Sequence, residues 1–274
     1  MTWRLLNYRP RSAFENMAID EAIFRETVKK KKHPTLRFFG WYPAAVSIGY
    51  FQELENEINF NRCRQSGVDI VRRLTGGKAV YHSDEITYSL AAGKSEKLFP
   101  DGIAETYAII SRCLARGLSL LGISAELAKA NPGKKQTLTS RCFSIPSGNE
   151  LVVEGQKICG SAQMRTHEGF LQHGSLLMTF DSKETAALIL SPHTPEPAEK
   201  LRCSVAAVNE VIPSPISAEV LCSMLQKGFI DELGISLAEG SLTPDEKTLS
   251  DQLIDKYKSD VWNWERKREA FKIR

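Results

Sequence analysis

At 274 residues, with 42% hydrophobic and 25% charged side chains, the chain has the composition of a folded globular protein with room for one large core or two small ones. A net charge of +3, from 36 basic against 33 acidic residues, is too balanced to point to nucleic acid or a membrane surface as partner. No apolar run approaches the ~20 residues that cross a bilayer, and the opening MTWRLLNYRPRS lacks the apolar stretch and cleavage site of a secretory signal, so a cytoplasmic protein is expected.

Ser12 followed by Glu15 forms a capping box, and Phe14, Met17, Ala18 and Ala22 recur at helical spacing, which predicts a helix through residue 28. The run Lys29 to Lys32 reads as its solvated last turn, complementing the negative end of the helix. Residues 35–39 and 45–49 read as short strands around the turn at Pro43, and residues 68–72 as a third. Gly76 and Gly77 force a turn before residues 79–81 resume an extended pattern, and a strand over residues 85–90 follows. Ile103, Tyr107, Ile110, Leu114, Leu118 and Leu121 repeat every three or four residues, so an amphipathic helix is expected to stop near Gly122. Residues 128–141 have no periodicity and read as a loop delivering Cys142. Residues 151–153 and 156–162 flank the Glu154-Gly155 turn as a hairpin, residues 170–179 return as a further strand, and helical patterns dominate after Ser217. The whole reads as one α/β domain with a core over about residues 1–215 and a helical C-terminal extension over about 216–274.

Three stretches carry chemistry. In Arg72-Arg73-Leu74-Thr75-Gly76-Gly77-Lys78-Ala79-Val80-Tyr81-His82, fixed positive charge lies beside backbone that can approach a ligand closely. That suits a phosphopantetheine-borne acyl chain or a nucleotide phosphate, and equally a basic hairpin turn. Six cysteines, scattered and without metal-site spacing, are expected to be free thiols, and no metal is expected. Of these, Cys142 ends a polar loop and Lys157 lies on a strand beyond it, the parts of an activated nucleophile, because a nearby ammonium favours the reactive thiolate. Cys159 is the competitor, two residues after Lys157 and expected on the same strand face, although a strand cysteine is more often an inert core residue. In Gln172-His173-Gly174-Ser175 a histidine enters a strand, either to bond substrate or as a satisfied structural residue. His82, at the end of the glycine turn, faces a pocket more readily than His33, His167 or His193.

Taken together, RRLTGGKAVYH, CFSIPS, ELVVEGQKICGSAQ and QHGSLL resemble the biotin and lipoate protein ligase family, and within it the cysteine-dependent octanoyltransferases. The resemblance implies that family's catalytic-domain fold, a mixed, largely antiparallel sheet flanked by helices. It implies transfer of octanoyl from acyl carrier protein to a lysine of a lipoyl domain, as found on 2-oxoacid dehydrogenase E2 subunits or glycine cleavage H protein. No cofactor is implied beyond the octanoyl-phosphopantetheine that the carrier brings as substrate. By the same resemblance Cys142 is the nucleophile and Lys157 its partner, while Arg73, Gly76, Gly77, Lys78, His82, Gly160, Ser161, Ala162, Gln163 and His173 line the substrate site. The turn departs from the ATP-dependent ligases, since Lys78 stands where they carry a third glycine. Three rivals stay open: an ATP-dependent lipoate ligase, an amidotransferase between lipoyl-bearing proteins, and a non-catalytic acyl-carrier-binding module. Arg72, Arg73, Lys78, Lys134 and Lys135 are candidates for steering acidic protein partners.

Overall fold

A computed structural model describes residues 1–128, 150–189 and 198–266. The elements run β1 (Thr2–Arg11), α1 (Ala13–Lys30), β2 (Thr35–Trp41), β3 (Ala45–Ile48), α2 (Leu54–Glu57), α3 (Phe60–Gln65), β4 (Asp69–Arg72), β5 (Val80–His82), β6 (Glu85–Gly93) and α4 (Ile103–Ser119). There follow β7 (Glu126–Leu127), β8 (Leu151–Val153), β9 (Gln156–Arg165), β10 (Gly169–Leu177), α5 (Ser182–Leu188), α6 (Ala198–Ser204), α7 (Val208–Val211), α8 (Ala218–Leu233), β11 (Ser236–Glu239), α9 (Pro244–Lys258) and α10 (Asp260–Asn263).

An eight-stranded sheet in the order β11-β1-β2-β6-β10-β9-β8-β7 forms the frame, and a three-stranded sheet β4-β3-β5 stands beside it. In the large sheet only the β11-β1 and β1-β2 pairings are parallel; the rest are antiparallel, the largely antiparallel arrangement expected. Period-two alternation sends Phe38, Tyr88, Leu90 and Leu176 to one face, where they join Ile110 and Leu114 of α4 and Leu221, Leu225 and Phe229 of α8 in the main core. The opposite face carries Ala91 and Leu171, packed by Ile19, Ile23 and Phe24 of α1. α1 starts at the expected capping box, in which Ser12 accepts from the Glu15 amide and Glu15 reaches back to the Ser12 amide, and it ends in a left-handed cap at Lys31, φ 49°.

Two expectations change. The lysine run is not simply solvated: Lys30 pairs with Glu26 at 2.9 Å and with Asp245, and Lys32 lies 3.4 Å from Glu246, so the end of α1 is tied to the acidic first turn of α9. Helices dominate the segment after 216 as expected, but it also adds a strand and is woven into the rest. β11 extends the large sheet beside β1, and the Tyr257 and Trp262 side chains are fully buried against Ala13, Met17 and Val71. Arg4 of β1 adds a bidentate bond to Glu246, 2.7 Å at each oxygen.

Candidate active site

The glycine turn lies between β4 and β5, and at Gly77 its backbone approaches its neighbours closely. Gly77 has φ +89°, and a Cβ on Gly49 would stand 2.0 Å from the Gly77 carbonyl oxygen. A Cβ on Gly77 would sit 3.5 Å from the Cβ of Ala162 on β9, so the turn rests against the strand that carries the GSAQ segment.

The two arginines before the turn do different work. Arg72 is fully buried; its guanidinium donates to the carbonyls of Gly49, Tyr50 and Gln52 on one side and of Trp262 and Asn263 on the other. Arg73, 4% exposed, donates to Ser47 O and Oγ through Nη1 and to the Gly76 and Lys78 carbonyls through Nη2, at 2.6 to 3.0 Å. Neither is at the surface, which removes both from the expected set of steering charges. Lys78 is exposed, and Lys134 and Lys135 lie outside the described residues.

Behind Arg73 runs a buried chain of polar groups. Glu85 Oε1 lies 2.9 Å from His82 Nδ1, and His82 Nε2 lies 2.6 Å from Ser47 Oγ. The carboxylate draws the ring proton to Nδ1, which leaves Nε2 to accept from the Ser47 hydroxyl, whose oxygen in turn accepts from Arg73. The ring stacks on Trp41 with centroids 4.0 Å apart, and Trp41, Thr87 and Ser175 all donate to Glu85. Burial alone would raise the Glu85 carboxyl pKa, but His82, Ser175 and Thr87 hold it below the ordinary glutamate value.

A second acid and histidine hold the turn from below. His173 Nε2 lies 2.7 Å from Thr75 Oγ1, and His173 Nδ1 faces Asp20 Oδ2 at 3.6 Å. Asp20 Oδ1 accepts from Arg37 at 2.6 Å and Ser89 at 2.8 Å. Burial, reinforced by the Arg73 charge, keeps the His173 pKa below the usual histidine value against the pull of Asp20.

The expected site residues therefore separate. Arg73, Gly76, Gly77, Lys78, His82 and His173 meet around the turn, with Ala162 against it. Ala162 pairs with His173 and, two residues back on β9, Gly160 pairs with Ser175, so both lie on this sheet face. Ser161 and Gln163 lie on the other face, in a ladder running from Ser161 Oγ to Tyr88 OH at 2.8 Å, then through Gln172 to Gln163. Lys157, 7% exposed, donates to Glu150 at 2.6 Å. Cys142 lies outside the described residues.

Cys159 does not follow the simple same-face expectation. Lys157 pairs with Val152 and Cys159 with Leu151, which makes Ile158 an extra residue in a bulge, and both Ile158 and Cys159 enter the main core. Burial pushes the Cys159 thiol up to about 12. The thiols of Cys63, Cys113 and Cys222 are also pushed up by burial, whereas Cys203 is exposed. Asp20, Ser47, Glu85 and Glu150 were not singled out from the sequence. The available signal was a charged residue in an apolar pattern, Asp20 beside Met17 and Ile19 and Glu85 opening a fully buried strand.

Residues 12–230 match the family model described as lipoyl protein ligase A/B catalytic domain. The chain is 39% identical over 271 residues to octanoyltransferase LipM of Kyrpidia tusciae, covering 96% of this chain and 98% of the relative. Among solved structures it is similar to a lipoate-protein ligase A bound with ATP, at TM-score 0.81 and 26% identity over 96% of this chain and 99% of that one. It is equally similar, at TM-score 0.81 and 26% identity over 98% of both chains, to a bi-partite lipoate protein ligase of Thermoplasma acidophilum studied with its E2 lipoyl domain.

Proposed function

This chain belongs to the lipoyl protein ligase A/B catalytic domain family, and from that premise we propose that it transfers an octanoyl group from a carrier-protein thioester to a lysine of a lipoyl domain through a covalent intermediate on Cys142. The observation that carries this reading is the 39% identity, along nearly the whole of both chains, with an octanoyltransferase. The donor is octanoyl-acyl carrier protein; the acceptors are lipoyl domains of the kind found on E2 subunits and H protein.

The Cys142 thiolate attacks the thioester carbonyl, the carbon–sulfur bond to the phosphopantetheine breaks, and the carrier leaves as a thiol after taking up a proton. The acceptor lysine, as a neutral amine, then attacks the acyl-enzyme. The new amide forms as the Cys142 sulfur departs, and the proton lost by the amine restores the balance. Thioester exchange is nearly isoenergetic and amide formation from a thioester is downhill, so ATP is not required. Lys157, its ammonium fixed by Glu150, favours the thiolate electrostatically. The burial of Cys159 and its raised pKa support Cys142 over that competitor.

A second reading, ATP-dependent lipoate ligation, is favoured by the likeness to the ligase bound with ATP. Intact-protein mass spectrometry after mixing with octanoyl-carrier protein, without ATP, separates the two. An octanoyl adduct on wild type and Cys159→Ser, absent from Cys142→Ser, is expected. Loss at Cys159 alone would move the nucleophile, and no adduct on any form, with activity on free lipoate plus ATP, would establish the ligase reading.

A further inference from the structure

We infer that Glu85 is a positioning residue for the acyl transfer proposed above, acting through His82, Ser47 and Arg73 on the backbone carbonyls of the glycine turn. The inference rests on that reading for its effect on turnover, but not for its effect on the turn.

Among the described residues, the bonds that hold the Arg73 guanidinium go to neutral acceptors, Ser47 O and Oγ and the Gly76 and Lys78 carbonyls, and its buried Nε has no hydrogen-bond partner. A buried cation held by neutral groups stays in place only if those groups keep their lone pairs turned toward it. Ser47 is the acceptor whose polarity can reverse, because a hydroxyl both donates and accepts. Its direction is set two bonds away by Glu85, which holds the His82 proton on Nδ1 and so makes Nε2 the acceptor of the Ser47 hydroxyl. Stacking on Trp41 keeps the His82 ring from turning over, so only its proton can change place.

In Glu85→Gln the amide can present a donor to Nδ1. The proton then moves to Nε2, which donates to Ser47 Oγ, so that oxygen must accept from His82 and Arg73 together while its own hydrogen loses its acceptor. The bond from Arg73 weakens, and the guanidinium shifts with the Gly76 and Lys78 carbonyls that it holds. The neighbouring reporter is the Tyr50 amide, which donates to the Thr75 carbonyl at 2.8 Å.

The control is Thr87→Val. It removes a donor to the same Glu85 oxygen, 2.6 Å away, and one of two acceptors of Trp41 Nε1, which keeps its bond to Glu85 at 3.0 Å; the bonds from Glu85 through His82 and Ser47 to Arg73 are left in place. Hydrogen exchange of the Tyr50 amide is compared in wild type, Glu85→Gln, Ser47→Ala and Thr87→Val, together with kcat and KM for octanoyl-carrier protein. Glu85→Gln and Ser47→Ala should each speed Tyr50 exchange about tenfold, the effect of losing one hydrogen bond on a local opening. KM should rise by a similar factor, with kcat changed less. Thr87→Val should leave both readings near wild type. Equal acceleration in Thr87→Val would mean general loosening and overturn the inference, as would unchanged exchange in both Glu85→Gln and Ser47→Ala. Should Glu85→Gln fail to fold, Ser47→Ala cuts the same chain with Glu85 left in place, and its result decides. If wild type takes up no octanoyl group, the acyl-transfer reading falls, and the exchange comparison still decides whether Glu85 holds the turn.

Discussion

Gly77 shows how much of this site rests on a single backbone angle. At φ +89° an L side chain is strained, and its Cβ would press on Arg73 Nη2 at 3.2 Å while touching Ala162. The αL region alone costs a non-glycine residue roughly 1–2 kcal/mol. Gly77→Ala is therefore expected to lower unfolding free energy by about that much in urea titration. Because the strain falls on the guanidinium that holds Gly76 and Lys78, octanoyl transfer should fall by about tenfold or more. Full activity in a destabilised Gly77→Ala would show that the turn does not shape the site. By contrast Gly76, whose Cβ would find only Phe51 at 3.9 Å, has space for a methyl. That difference could not be read from the dipeptide, where the two glycines look alike. The turn itself was legible because arginine, glycine and histidine announce it locally. The acids behind it were not, since Asp20 and Glu85 reach it from α1 and β6 and nothing in their own segments points to the turn.

Between elements, α4 and α8 approach closely: a Cβ on Gly228 would stand 2.3 Å from the Cys113 carbonyl and 2.5 Å from the Gly117 amide nitrogen. Two effects compete in Gly228→Ala: alanine favours a helix by about 1 kcal/mol, while forcing apart two packed helices costs about 1–3 kcal/mol or more. Here backbone atoms, not flexible side-chain ends, block the methyl. Packing should win, and the urea midpoint of Gly228→Ala should fall; a rise would mean the helices separate at little cost. α1 and α4 were legible from a capping box and a three-to-four-residue repeat. β1 was not, because buried residues alternate only at Trp3 and Leu5 before Arg9 and Pro10 blur the pattern. β11 has no fully buried residue at all; it is a strand because β1 offers it an edge, which is information held some two hundred residues away.

For the molecule as a whole, the buried ionisable groups set a pH range of stability. Burial would raise the carboxyls of Asp20 and Glu21, yet Arg37 for the first and Lys256 with Arg25 for the second bring both below their ordinary values of 3.8 and 4.5. His173 is lowered from 6.5. A lowered group binds fewer protons folded than unfolded, so its contribution is complete above the unfolded pKa and is lost as pH falls below it. Tm should decline in two stages on acidification, first below 6.5 as unfolded His173 protonates, then below 4.5 as the acids do. At the other end, Cys159 and Cys222 are raised from 9.0 to about 12, so stability should fall again above pH 9.0 as the unfolded thiols ionise. A flat Tm between about pH 8 and pH 5 would show that His173 titrates alike in both states. The docking of Arg72 onto Trp262 and Asn263 has a further consequence, for the order in which the protein comes into being. The ribosome delivers the turn early, but the carbonyls that brace its first arginine arrive some 190 residues later. β1 likewise waits for β11 before its outer edge is paired. A nascent chain is therefore not a smaller version of this catalyst, and acyl transfer should begin only after synthesis has passed residue 263.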